Sequence, residues 1–387
     1  MNIKLYYSLL LIFFFIISKN SYAETAIVPA FPKIAASSYL LMDFDSGEIL
    51  AEENIHEKLA PASLTKMMTV YVIGHELKKG TISLSDEVYI SDKAYSTFGS
   101  RMFIEVNSKV MLEDLLYGVI IQSGNDASVA LAEHVSGSDE AFAILMNKHA
   151  ENLGMKDSYF ANSSGMPVDG NGNLTTAYDL AILSQALIRD YPDIYKIHMI
   201  KEYTYGEKKP ITQYNRNRLL WRDKSVDGIK TGHTEEAGYC MVTSAIRDNM
   251  RLIAVVMGAD SKNSRVKSSQ TILNYGYRFF QTHKLYEAGD VIANAMIFRA
   301  DIDSVGLTIQ DDIYITIPRG QYDKLEPTVE IDKRIIAPIE KNSKLGVLNI
   351  MLSDINIKSV SLLANNTISK GSIFNQLKDQ IRLLLIN

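Results

Sequence analysis

The chain has 387 residues, 47% apolar and 22% charged, with one cysteine and a formal net charge of −5. That length holds two domains with a sizeable core, and low charge with 9% aromatics excludes a mainly disordered chain. The negative balance argues against nucleic acid as a partner. Cys240 alone excludes an internal disulfide, a cysteine-based zinc site and a CxxC pair. The seven histidines show no HExxH spacing, so no metal or other cofactor is expected.

The N-terminus carries Lys4, a short apolar run from Leu9 to Ile17, and then Ser21-Tyr22-Ala23. A basic start, a short apolar core and a small-x-small site describe a secretory signal over residues 1–23, cleaved after Ala23. The mature chain then works outside the cytoplasm. An uncleaved anchor is the alternative, although the apolar stretch is short for a membrane span.

Residues 39–43 and 49–51 flank Asp45-Ser46-Gly47, which predicts a hairpin. Helical spacing predicts helices over 63–79, 111–122, 126–135, 139–153, 176–189 and 265–282. Tyr239–Ala245 and Leu252–Met257 read as strands joined by a turn at Arg247-Asp248-Asn249. Beyond Leu285 the pattern changes to short apolar runs between turn signals: 305–309, 313–317, 347–352 and 360–363. The expected organisation is a mixed α/β body over 24–284, an all-β module over 285–370 and a terminal helix over 371–387. At about 100° per residue, Ile373, Phe374, Leu377, Ile381, Leu384 and Leu385 share one stripe of that helix. Such a helix either lies in a membrane interface or packs on the body.

Three short motifs stand in order: Ser63-Leu64-Thr65-Lys66, Ser123-Gly124-Asn125 and Lys230-Thr231-Gly232. An S-x-x-K alone arises about twice by chance in a chain of this length, so order and placement carry the argument. Residues three apart on a helix share a face, so Ser63 and Lys66 can touch. At a helix start, free N–H groups favour a developing oxyanion. A serine hydroxyl needs a base, and Lys66 serves if burial or a second cation, such as Lys230, depresses its pKa.

The ordered set resembles the penicillin-recognising serine enzymes, a group of DD-peptidases and serine β-lactamases. The flanking stretches PASLTKMMT, IIQSGNDA, NRNRLLW, VDGIKTGHTEEAGY and IPRG are similar to the low-molecular-mass penicillin-binding proteins, D-alanyl-D-alanine carboxypeptidases of the S11 peptidase family. The resemblance runs from about Ala36 to the C-terminal helix. It implies an α+β catalytic domain with an antiparallel sheet and a helical subdomain, then a small all-β domain and an amphipathic membrane anchor. It implies Ser63 as acyl-enzyme nucleophile, Lys66 as its base, and Ser123 as proton relay to the leaving D-alanine, helped by Lys230. Asn125 would hydrogen-bond the substrate amide. Lys230, Thr231 and Gly232 would line the substrate backbone, with Thr231 on the terminal carboxylate. The N–H groups of Ser63 and His233 would form the oxyanion hole, and Arg265 would stand near the carboxylate.

The implied partners are peptidoglycan stem peptides ending in D-Ala-D-Ala, β-lactams, and the membrane surface through the terminal helix. The implied location is the periplasm, at the inner membrane. One departure is Ser164, where some relatives carry a histidine before the glycine of Asn162-Ser163-Ser164-Gly165; it bears on deacylation. A serine β-lactamase is the weaker alternative, since no E-x-x-L-N stretch lies between Ser123 and Lys230. A non-catalytic wall-binding scaffold is the other, and it is disfavoured by the complete motif set.

Overall fold

A computed structural model describes residues 28–168, 170, 172–206 and 209–385. The expected secretory signal therefore lies outside the described residues.

The body is built on a five-stranded antiparallel sheet. Its order is Ile49–Glu53, Ser38–Asp43, Met250–Ala259, Gly238–Arg247 and Val226–Thr234. The central strands are apolar at nearly every position because both faces are covered. Successive side chains alternate between two cores. Leu40, Met42, Ile253, Val255 and Met257 join the larger core beneath the helical subdomain. Tyr39, Leu41, Leu252, Ala254 and Val256 join a second core with Ile272 and Leu273 of the helix Lys262–Phe279. The turn between the two longest strands places Asp248 at φ 48° and Asn249 at φ 63°. Two consecutive left-handed residues of this type suit a tight hairpin.

The helix Lys66–Lys79 is the axis of the larger core, buried continuously from Lys66 to Gly74. Around it stand the helices Asn125–Ser136, Asp139–Leu153 and Ala177–Asp190. The starts of the last two are fixed by side-chain caps. Ser138 caps Ala141 N at 3.1 Å and Thr176 caps Asp179 N at 3.0 Å. Three sequence expectations change in detail. The 63–79 helix begins as a 3-10 turn, Ala62–Thr65. The 111–122 helix is α only over Leu112–Tyr117 and widens to a π turn at Gly118–Gln122. The 265–282 helix stops at Phe279, where the chain becomes the strand Phe280–Tyr286.

That strand pairs with Ile313–Pro318 and opens the C-terminal β module. The module's main sheet has the order Val291–Met296, Ser304–Thr308, Ile355–Ala364, Lys344–Leu352, Leu325–Ile331. Its own core gathers Leu307, Ile313, Ile315, Leu348, Ile350 and Leu362. Ser46 Oγ meets Thr316 Oγ1 at 2.6 Å, and Thr282 Oγ1 donates to Asp43 Oδ2 at 2.6 Å, tying the module to the body's first hairpin.

The chain ends in the helix Ile373–Leu385. Its apolar stripe faces outward, with Ile373 78%, Phe374 77%, Leu377 62% and Ile381 64% exposed. Its polar face meets the module instead, where buried Asp379 accepts Arg299 N at 2.7 Å.

Candidate active site

The serine turn is shaped by what packs against it. Ala62 is buried with φ 48°, a left-handed conformation that costs a non-glycine residue about 1 kcal/mol or more. Two glycines hold this turn from either side. A Cβ at Gly165 would lie 1.9 Å from the Ala62 carbonyl oxygen, and one at Gly232 would lie 2.7 Å from that of Pro61. Ser63 is thus wedged between the 162–165 turn and the edge strand Val226–Thr234.

Lys66, the first α-helical residue, is fully buried. Its Nζ donates to Ser63 Oγ at 3.2 Å, to Asn125 Oδ1 at 2.7 Å and to the Ser164 carbonyl at 2.5 Å. An ammonium has three hydrogens, and these three acceptors use them all. On losing one proton, the amine presents a lone pair, and Ser63 O–H is positioned to supply the missing hydrogen. Burial lowers the Lys66 pKa to about 7; Asp126 and Asp139 oppose that shift and Arg216 assists it. Arg216 is thus a further cation beside the Lys230 that the sequence reading named, since Lys66 and Lys230 also repel one another. Lys230 is itself buried, and its pKa falls well below the usual lysine value through burial, then through Lys66, Arg216 and Arg265.

Ser123 closes the π turn with φ 67°, a left-handed conformation. Its Oγ is buried and has no hydrogen-bond partner among the described residues. A buried hydroxyl left unpaired on a strained residue is free to pass a proton. Asn125 follows on the next helix, and its Nδ2 donates to Phe98 O at 2.7 Å. One N–H of that amide remains for a ligand. Asp126 accepts Met102 N and Phe103 N, each at 2.9 Å, and so fastens the 98–104 loop over the turn.

Lys230, Thr231 and Gly232 lie on the strand Val226–Thr234, at the sheet edge. An edge strand offers unpaired N–H and C=O groups to an extended peptide. Behind it, His198 Nδ1 bonds the Ile229 carbonyl at 2.9 Å, and Asn217 Nδ2 donates to Gly228 O at 2.8 Å. Burial lowers His198 to about 4, so it is neutral at pH 7. His233 is exposed and stacks on Tyr239, ring centroids 4.0 Å apart. Arg265 is buried, and its Nη1 donates to the carbonyls of Gly232 at 2.8 Å and Cys240 at 3.3 Å. It braces the strand from the main chain.

The structure thus gathers Ser63, Lys66, Asn125 and the Lys230–Gly232 strand into one enclosure, with Ser123 at the end of the π turn just before Asn125 and His233 and Arg265 toward the strand's far end. Sequence reasoning missed Arg216, whose Nε donates to Gln122 O at 3.1 Å and whose Nη2 donates to Ser100 Oγ at 2.9 Å. It also missed Asp126. The signal was present, since Asp126 directly follows Ser123-Gly124-Asn125 and Arg216 lies within NRNRLLW. Ser164, which stands where some relatives carry a histidine, contributes mainly through its backbone. Its backbone carbonyl holds Lys66, while its hydroxyl stays within the turn, 3.3 Å from both Asn162 Oδ1 and Met166 N.

Comparison with known proteins gives the same answer along the chain. A family profile described as D-alanyl-D-alanine carboxypeptidase matches residues 24–261. A second, for the C-terminal domain of penicillin-binding protein 5, matches residues 280–370. D-alanyl-D-alanine carboxypeptidase DacA of Escherichia coli is 40% identical over 365 residues, covering 92% of this chain and 89% of that protein. Its counterpart in Haemophilus influenzae is 41% identical over 359 residues, covering 91% and 90%. The crystal structure of penicillin binding protein 5 from Haemophilus influenzae superposes with a TM-score of 0.85 at 40% identity, over 89% of this chain and 100% of that one. The paired serine and buried lysine, the two matching domains and these relatives together place the chain in the D-alanyl-D-alanine carboxypeptidase family, the S11 serine peptidases.

Proposed function

We propose that this protein is a serine-type D-Ala-D-Ala carboxypeptidase that removes the terminal D-alanine from peptidoglycan pentapeptides. The observation that carries the reading is the contact of Lys66 Nζ with Ser63 Oγ at 3.2 Å, inside an enclosure that lowers the lysine to about 7.

The neutral Lys66 amine takes the Ser63 proton as Oγ attacks the carbonyl of the penultimate D-alanine. The N–H groups of Ser63 and His233 receive the oxyanion; a donor in that place is worth about 2.7–4 kcal/mol in acyl-transfer enzymes. Lys66 then hands that proton to Ser123, which, helped by Lys230, passes one on to the departing nitrogen as the C–N bond breaks, so the Lys66 amine is neutral again. Asn125 holds the substrate amide with its remaining N–H. Thr231 receives the free carboxylate and Lys230 lies along the substrate, while Arg265 fixes the strand that presents them. Water then attacks the ester on Ser63, with Lys66 as the nearest base. A β-lactam follows the first half of this route, but its leaving group stays tethered, so the acyl-enzyme persists.

The exposed apolar stripe of Ile373–Leu385 supports attachment to a membrane surface, at the inner membrane facing the periplasm. A scaffold without catalysis leaves the two buried lysines unexplained, because burying ammonium groups is costly without a use.

The test is D-alanine release from diacetyl-Lys-D-Ala-D-Ala. Release by the mature chain that vanishes in Ser63→Ala supports the reading, and release that persists in Ser63→Ala contradicts the nucleophile.

A further inference from the structure

The helix Lys66–Lys79 carries a second concentration of chemistry at its other end. About 14 Å along the axis from Lys66, His75 and Glu76 face His149 of the helix Asp139–Leu153. One donor atom from each residue lies within 4.8 Å of the other two. Among the described residues no other three His, Cys, Asp or Glu side chains come together in this way. The two imidazoles stand edge to face, centroids 4.7 Å apart.

Two imidazoles and one carboxylate make a donor set that holds Zn2+ with a fourth position open to water. Bonds of about 2.1 Å in tetrahedral array put donors about 3.4 Å apart. The three residues therefore need to close by on the order of 1 Å, a side-chain adjustment on that scale of bond lengths. His75 and Glu76 are half-buried, while His149 is buried.

The groups behind the donors are already arranged. Metal-bound histidines usually have their other ring nitrogen held by a hydrogen bond. Tyr191 OH lies 3.3 Å from His75 Nδ1, which leaves Nε2 for a metal. Thr81 Oγ1 donates to Glu76 Oε2, which leaves Oε1. The Tyr71 ring packs edge to face on both His149, at 5.7 Å, and Tyr191, at 5.0 Å. Gly74 admits this packing, since a Cβ there would lie 2.7 Å from the Tyr191 ring.

We propose that His75, Glu76 and His149 form a divalent transition-metal site of the Zn2+ class, which joins the two helices at the end remote from Ser63. The proposal is independent of the reaction at the serine.

The purified full chain, stripped with a chelator, is titrated with zinc sulfate against a chromophoric chelator and followed by thermal unfolding. One Zn2+ per chain and a raised melting temperature are expected. His149→Ala and Glu76→Gln should each weaken binding about 10–100-fold or more. Co2+ in place of zinc should give visible absorption that His149→Ala abolishes. Penicillin acylation serves as the check on folding. If His149→Ala does not fold, the half-buried pair, His75→Gln and Glu76→Gln, decides the question. No binding at micromolar Zn2+, or binding unchanged in these variants, would overturn the proposal.

Discussion

The serine enclosure and the terminal helix invert the usual partition of a protein in opposite ways. In the enclosure, Lys66 and Lys230 are buried where apolar side chains are the rule. On the helix, Ile373, Phe374, Leu377 and Ile381 face solvent while Asp379 is buried. Each inversion costs stability, and each sits at a place where the proposed function needs it. The first yields a base that can be neutral near pH 7, and the second yields an apolar face for a membrane. The lesson is that departures from the pattern locate the working parts more sharply than the core does.

The largest expected effect breaks the enclosure at its base. Lys66→Ala should slow acylation by penicillin about 10²–10⁴-fold, measured by stopped-flow, with the fold retained by circular dichroism. Gly165→Ala attacks the shape of the enclosure. Its Cβ would lie 1.9 Å from the Ala62 carbonyl at a φ of 80°, so unfolding should become easier by about 3 kcal/mol or more in denaturant titration. The pH dependence sharpens the comparison further. Only the neutral amine accepts a proton, so the acylation rate should fall as pH drops through about 7 and rise above it. Arg216→Met removes a like charge, raises the Lys66 pKa and moves that limb to higher pH, whereas Arg216→Lys should largely restore it.

The smallest catalytic effect belongs to the other region. Ile381→Asp on the exposed stripe should leave D-alanine release and unfolding nearly unchanged, within about 0.5 kcal/mol. The same change should lower sedimentation with anionic vesicles, and removal of residues 371–387 should abolish it. Undiminished vesicle binding after truncation would refute the attachment.

Much of this was legible in the sequence. The motifs name Ser63, Lys66 and Asn125, which meet, and the helix expected over 139–153 is found as Asp139–Leu153. Cys240 is buried on its strand, as its apolar neighbours implied. What escaped depends on contacts distant in sequence. Helical periodicity continues through residue 282, yet Phe280 leaves the helix because it pairs with Pro318. The strands Val291–Met296 and Leu325–Ile331 are sheet edges with mostly exposed or half-exposed side chains, and Pro327 further masks the second. The left-handed Ala62 follows from packing against Gly165 and Gly232, which no local pattern displays. Arg216 acts on Lys66 through space across an interval of 150 residues. The same is true of His149, which lies far in sequence from His75 and Glu76.

The central claim is that Ser63, activated by Lys66, forms a covalent acyl-enzyme. Mass spectrometry of the purified protein incubated with penicillin, followed by peptide mapping, tests it most directly. A single persistent adduct on Ser63, absent in Ser63→Ala, is the predicted result. An adduct on another residue, or rapid hydrolysis of penicillin with no adduct, would contradict it.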